Sequence, residues 1–252
     1  MRSFDGTALQ VRFKCGVTGV NKKDVIREFS GGVRAMAPLI VAVMPIGLVF
    51  GAVAASKGLS SLEVMLMSAF VFAGGSQFVA MDIWSHPVSW GALGFSALLV
   101  NIRHVLMSAS IGTKMPAFSG SAKYAAMLLL ADEIWAMAET RAAQARLSAA
   151  WYAGLAVPFY VVWVLTSLAG AVAGAFLGDP KAIGLDFAFP AVFVVLLMGF
   201  WKGRETGAVL AASAAAAVMT QQLLPGVWYI GAGAAAGVIA TLVLDRRREV
   251  CA

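Results

Sequence analysis

Three polar clusters stand inside otherwise apolar stretches of the chain. Asn101, Arg103 and His104 interrupt the run from Ser96 to Gly112, Asp132 and Glu133 follow Leu128-Leu129-Leu130-Ala131, and Gly74-Gly75-Ser76-Gln77 lies between Ala73 and Phe78. An arginine near two carboxylates offers an ion pair. The acid left over offers a proton carrier, because burial disfavours the charged carboxylate and so favours holding a proton. His104 adds a second proton relay, or only a hydrogen-bonded helix contact. Asp132 and Glu133 are neighbours, so on a helix they point about 100° apart and cannot both face Arg103. The sequence leaves open which of them does.

The glycine cluster raises a question of backbone. Two glycines weaken a helix, and irregular backbone at membrane depth persists only where protein or water satisfies it. One reading is a broken helix whose second half points its N-terminus at an anionic group, as in secondary transporters. The other is an unbroken helix with a close glycine contact. Pro38 and Pro45-Ile46-Gly47 offer a second place for a break, and Asp82 with His86 marks a fourth cluster, expected at the cytoplasmic mouth.

These clusters need elements to hold them. The chain has 252 residues, 60% hydrophobic and 13% charged, where a soluble domain carries about 25% charge. Several apolar runs approach the roughly 20 residues that cross a bilayer. The expected fold is therefore all-α and polytopic, with about eight (seven or eight) spans near 33–55, 62–84, 88–111, 122–142, 149–177, 184–201, 206–223 and 227–244. Basic tails at 1–30 and 246–252 flank a transmembrane permease domain at 31–245. Residues 1–30 make a poor signal peptide; they read as a cytoplasmic tail or as the product of a start codon placed too far upstream. With the N-terminus inside, 14 Lys and Arg fall inside and four, Lys57, Lys114, Lys123 and Lys181, fall outside. That split places both termini in the cytoplasm, and it explains the net charge of +6 without a nucleic-acid partner. Cys15 and Cys251 form no CxxC pair, so neither a metal site nor a cofactor is expected.

Two further patterns concern packing. Gly51-Ala52-Val53-Ala54 and Gly170-Ala171-Val172-Ala173 each follow a proline, Pro38 and Pro158. They read as a parallel repeat of spans one and five, or as chance in a Gly- and Ala-rich chain. In the last two spans, residues 212–217 and Gly233-xxx-Gly237 give smooth surfaces for packing against each other or against a second protein.

An intramembrane hydrolase built on Ser76 and His104 is disfavoured. In eight full spans these residues lie about 10 Å apart along the membrane normal, at about 1.5 Å per residue, beyond hydrogen-bond reach. A channel or a non-transporting scaffold is the stronger alternative to a carrier. For a carrier of amino acids, Asn101, Gln77 and the broken backbone supply donors for a carboxylate. A span-four acid supplies an acceptor for an ammonium, and Phe72, Phe78, Met107 and Trp135 supply an apolar lining.

In order, Pro45-x-Gly47-xx-Phe50-Gly51, Ser68-xxx-Phe72-Ala73-Gly74-xx-Gln77-Phe78, Asn101-x-Arg103-His104 and Asp132-Glu133 resemble the azaleucine-resistance (AzlC-type) family, the large subunit of branched-chain amino acid exporters. The resemblance runs over roughly residues 25–245. It implies an inner-membrane permease that exports leucine, isoleucine, valine or analogues, coupled to an ion gradient. It also implies a small companion membrane subunit (AzlD-type). Two departures bear on the cargo: Gly75-Ser76 stands where Ala-Ala is expected, and Met107 where a tyrosine is common.

Overall fold

The computed structural model describes residues 22–85, 87–174, 203–224 and 226–251, together with Val194, Met198 and Trp201; side chains are described through Leu244 in the last helix. His86, Lys181, residues 1–21, most of the span expected at 184–201 and the side chains of the C-terminal tail lie outside these residues. Among them the chain is helical throughout: α1 (Lys22–Ser56), α2 (Ser61–Val71), α3 (Gly74–Asp82), α4 (Trp90–Gly112), α5 (Gly120–Leu128), α6 (Asp132–Gln144), α7 (Ala149–Gly174), α8 (Arg204–Leu223) and α9 (Trp228–Cys251). Three of these, α1, α4 and α7, are long and apolar enough to cross a membrane by themselves. The protein is a polytopic helical membrane protein.

Helices α1 and α7 form the most extensive pair in the structure. They run parallel, as a repeat of spans one and five requires. Their contacts are reciprocal. A side chain on Gly51 would strike the Ser167 carbonyl and Gly170, and one on Gly170 would strike the Leu48 backbone. Toward the other end, Gly32 abuts the Trp151 carbonyl and Gly154, while Gly154 abuts the Phe29 carbonyl. Backbone-to-backbone approach of this kind is what small residues provide in lipid. It also corrects one expectation: α1 is continuous through Pro38 and Pro45, with no break at Pro45-Ile46-Gly47. Dense packing against α7 on both sides of these prolines holds the helix together across their missing donors.

The expected spans two and four do not cross. Ser68 and Gln77 lie nine residues apart, which is about 13 Å along a continuous helix, yet the Gln77 Nε2 donates to Ser68 Oγ at 3.3 Å. Helix α3 therefore folds back beside α2. The pair is a re-entrant hairpin whose tip is Phe72-Ala73. Helix α4 then runs antiparallel to α3, with Asn101 at Ser76 and Arg103 at Gly75. Its far end meets the end of α6, where Ser110 and Lys114 bind Glu139. Two residues on, Arg141 pairs with Glu28 at the start of α1 (3.4 Å). So α5 and α6 form a second re-entrant hairpin, entering from the side that holds the N-terminal end of α1. The tip is Leu129-Leu130-Ala131.

This reverses the direction assumed for α4. Lys114 and Lys123 move to the side of the N-terminal end of α1, and Asp82 moves to the opposite face, where it sits near Tyr229. Helix α9 starts at that same face, with Trp228 against Phe95 (5.2 Å between ring centroids), and α8 packs antiparallel to it. Gly233 lies against Ser213 and Ala217, and Gly237 against Ser213 and Val209. The two small-residue surfaces thus cover each other. Among the described Lys and Arg, only Lys57 lies on the far face and only Arg103 at mid-depth. The charge asymmetry is steeper than eight full spans would give.

Candidate functional site

A helix that stops inside a membrane leaves its last carbonyls without donors. Two tyrosines of α7 supply them. Tyr160 donates to the Ala69 carbonyl near the end of α2 (3.0 Å), and Tyr152 donates to the Ala126 carbonyl near the end of α5 (2.8 Å). At the first tip Phe72 takes a left-handed conformation (φ 38, ψ 46) and Ala73 a non-helical one (φ −141, ψ 81). Left-handed backbone costs a side-chain-bearing residue about 1–2 kcal/mol. The buried Phe72 ring, edge-on to Tyr160 at 5.0 Å and to Phe159 at 6.4 Å, offsets that cost. The break thus falls just before the glycines, and Gly74 and Gly75 begin the second half-helix.

Gln77 is fully buried. Its amide donates to Ser68 and its Oε1 accepts from Trp163 Nε1 at 3.1 Å, so it fastens the hairpin to α7 and has no polar atom left over for a ligand. Trp163 also stacks on Phe50, which meets Phe78 edge-on at 5.5 Å. Phe72, Phe78 and Met107 are core residues, and only Trp135 of the expected apolar lining is partly open.

Arg103 lies where the two hairpins meet. Its Nη1 pairs with Asp132 Oδ2 at 2.8 Å. Its Nη2 lies over Gly75, 3.0 Å from where a Cβ would stand. Asn101 Nδ2 donates to Ser76 Oγ at 3.2 Å, and Ser76 donates in turn to the Ala73 carbonyl at 3.1 Å. Ser76 is thereby engaged with partners other than His104, whose Nδ1 lies 3.3 Å from the Asn101 carbonyl. The structure therefore brings Gly75, Ser76, Asn101, Arg103, His104 and Asp132 together, with Gly74 against Trp163. Asp132 and Glu133 open α6, where acidic side chains complement the positive end of the helix dipole. Among the described residues Glu133 joins no ion pair.

Three residues of α7, Tyr152, Tyr160 and Trp163, escaped the reading of the sequence. They stand at 152, 160 and 163 along an apolar helix, and aromatic donors spaced at two turns or so on one helix were the available signal.

A family model described as AzlC protein matches residues 38–177. This chain belongs to the AzlC family. An uncharacterized membrane protein of Archaeoglobus fulgidus is 30% identical over 190 residues, covering 75% of this chain and 83% of its own length. The inner membrane protein YgaZ of Escherichia coli is 28% identical over 73% of this chain and 78% of its own. A Bacillus subtilis relative named branched-chain amino acid transport protein AzlC is 25% identical over 75% of this chain and 74% of its own. No solved structure matches. The AzlC match contains both hairpins and all of α4, and ends just past α7.

Proposed function

We propose that this AzlC-family chain is the large subunit of a secondary transporter that exports branched-chain amino acids across the inner membrane, driven by protons and working with a small companion membrane subunit. The observation that carries the reading is the meeting of two re-entrant hairpins, one from each side of the membrane, at a single arginine. Half-helix N-termini at mid-membrane serve secondary transporters as substrate sites. The Bacillus subtilis relative's name supplies the cargo class, and the Escherichia coli relative's name supplies the membrane. The basic face is the cytoplasmic one, by the positive-inside rule.

The site divides its two acids. Asp132 is committed to Arg103, which leaves Glu133 as the proton carrier. Glu133→Gln should abolish export driven by a pH gradient yet keep exchange of labelled for unlabelled substrate, since exchange needs no proton release. The measurement is uptake of labelled leucine, valine, methionine and alanine into inverted vesicles, with and without the companion subunit, beside counterflow on the same vesicles. Normal gradient-driven export by the variant would remove Glu133 from the coupling. A channel or a scaffold is the alternative reading, and the wild-type chain would then show no counterflow.

A further inference from the structure

Arg103 is only partly engaged by the protein. Asp132 holds Nη1, and Nη2 rests over bare backbone at Gly75. Nε is buried and has no partner. Asn101 is in the complementary condition: its Nδ2 is used by Ser76, and its Oδ1 is buried and unpartnered. Both side chains reach the first turn of α3. A cationic donor and a neutral acceptor are therefore left unpaired at the same tip. Native proteins rarely leave such groups so, and each exception calls for a further group to explain it.

The chemistry of that group follows from the two orphans. A guanidinium presents parallel N–H pairs that match a carboxylate bidentately, and the pair along Nε and Nη2 is the one that Asp132 does not use. Both groups stand at the N-terminal turn of α3, an end of a helix that favours an anion. An amide oxygen accepts from an ammonium. An α-amino acid carries one of each charge on adjacent atoms.

We infer that Arg103 is the specificity-determining residue for the substrate's α-carboxylate. The carboxylate seats on the Nε–Nη2 edge beside Gly75 and Ser76, and the ammonium donates to Asn101 Oδ1. Asp132 remains on Nη1 as a positioning residue that holds the guanidinium in the plane required. This inference rests on the amino-acid transport reading and deepens it.

The test compares ligands that each lack one charge. Competition against counterflow of labelled leucine is measured with leucine, leucinamide (no carboxylate) and 4-methylpentanoate (no ammonium). The wild-type chain should prefer leucine to leucinamide by about tenfold or more, the loss of one charge-assisted hydrogen bond. Arg103→Lys keeps a cation for Asp132 but has no fork. It should weaken leucine by about the same factor while leucinamide changes little, so the preference collapses. Should Arg103→Lys fail to fold, the neutral pair Arg103→Gln with Asp132→Asn leaves no unpaired charge and should show the same selective loss. Asn101→Ala should weaken leucine and spare 4-methylpentanoate. A preference for leucine over leucinamide that survives Arg103→Lys, or the neutral pair where that variant does not fold, overturns the inference, as does a wild-type chain that binds the two alike. A wild-type chain that moves no branched-chain amino acid at all instead overturns the transport reading beneath it.

Discussion

The two re-entrant hairpins have the same form and end at the same arginine, but different forces fasten them. The α2–α3 hairpin is held by buried groups. Gln77 spans Ser68 and Trp163, Phe78 packs on Phe50, and Phe72 packs on α7. The α6 arm of the other hairpin is tied by ion pairs at both ends: Asp132 to Arg103 at the tip, Glu139 to Lys114 and Arg141 to Glu28 at the end beside the start of α1. An apolar groove of about 300 Å³, lined by Ala122, Ala125, Ala153 and Ala156 among others, runs between its α5 arm and α7 beside the Tyr152–Ala126 hydrogen bond. Apolar burial and satisfied buried hydrogen bonds have one good arrangement. The two ion pairs away from the tip, Glu139 to Lys114 and Arg141 to Glu28, stand at the membrane edge, where ion pairs are weak and exchange partners readily. The difference predicts which hairpin loosens first when the molecule is perturbed.

The largest effect should come from breaking the contact the hairpins share. Arg103→Ala leaves Asp132 without its cation at mid-membrane depth, where an unpaired charge costs roughly 2.5–3.5 kcal/mol, read as a loss of folded protein in detergent. Adding Asp132→Asn should restore much of it, and adding Glu133→Gln should not. Equal rescue by both would mean that Arg103 does not distinguish the two acids. Next in size, Gln77→Leu strands Ser68 Oγ and Trp163 Nε1 and should cost about 2 kcal/mol, by an amount independent of salt. A salt-dependent loss would place charge in the α2–α3 hairpin after all. Smallest in stability is Glu139→Gln, at most about 1 kcal/mol. Its effect should be local: faster amide hydrogen exchange along α6 with α3 unchanged, mimicked in the wild type by raising salt. If α3 responds as strongly as α6, the hairpins are fastened alike and the contrast falls.

Much of this arrangement was legible. Arg103, Asp132 and the Gly74-Gly75 pair declared themselves because charge and glycine are conspicuous in apolar sequence, and a break in span two was among the readings open. Its position and its fold-back were not legible, since a left-handed Phe72 is stabilised by residues of α7 about 90 positions away. The break in span four left a trace that counting to 20 residues conceals. Between Lys123 and Asp132 only eight residues are uncharged, too few to cross. Missing that trace turned α4 around and put Lys114 and Lys123 on the wrong face, although an even number of crossings still left both basic ends together. The roles of Gln77 and Asn101 were also beyond reach. Either amide could serve a ligand, and only the positions of Ser68 and Trp163 show that Gln77 is already occupied.

The seam between α1 and α7 bears on how such a molecule could work. Each helix presses bare main chain on the other at matching positions, so neither can slide by a residue or roll without a steric collision. It is a keel: stiff along its length and unable to pump. Any rocking that carries cargo through the bilayer has to pivot around this pair. Enlarging Gly51 or Gly170 would then split the frame, with the hairpin tips themselves untouched.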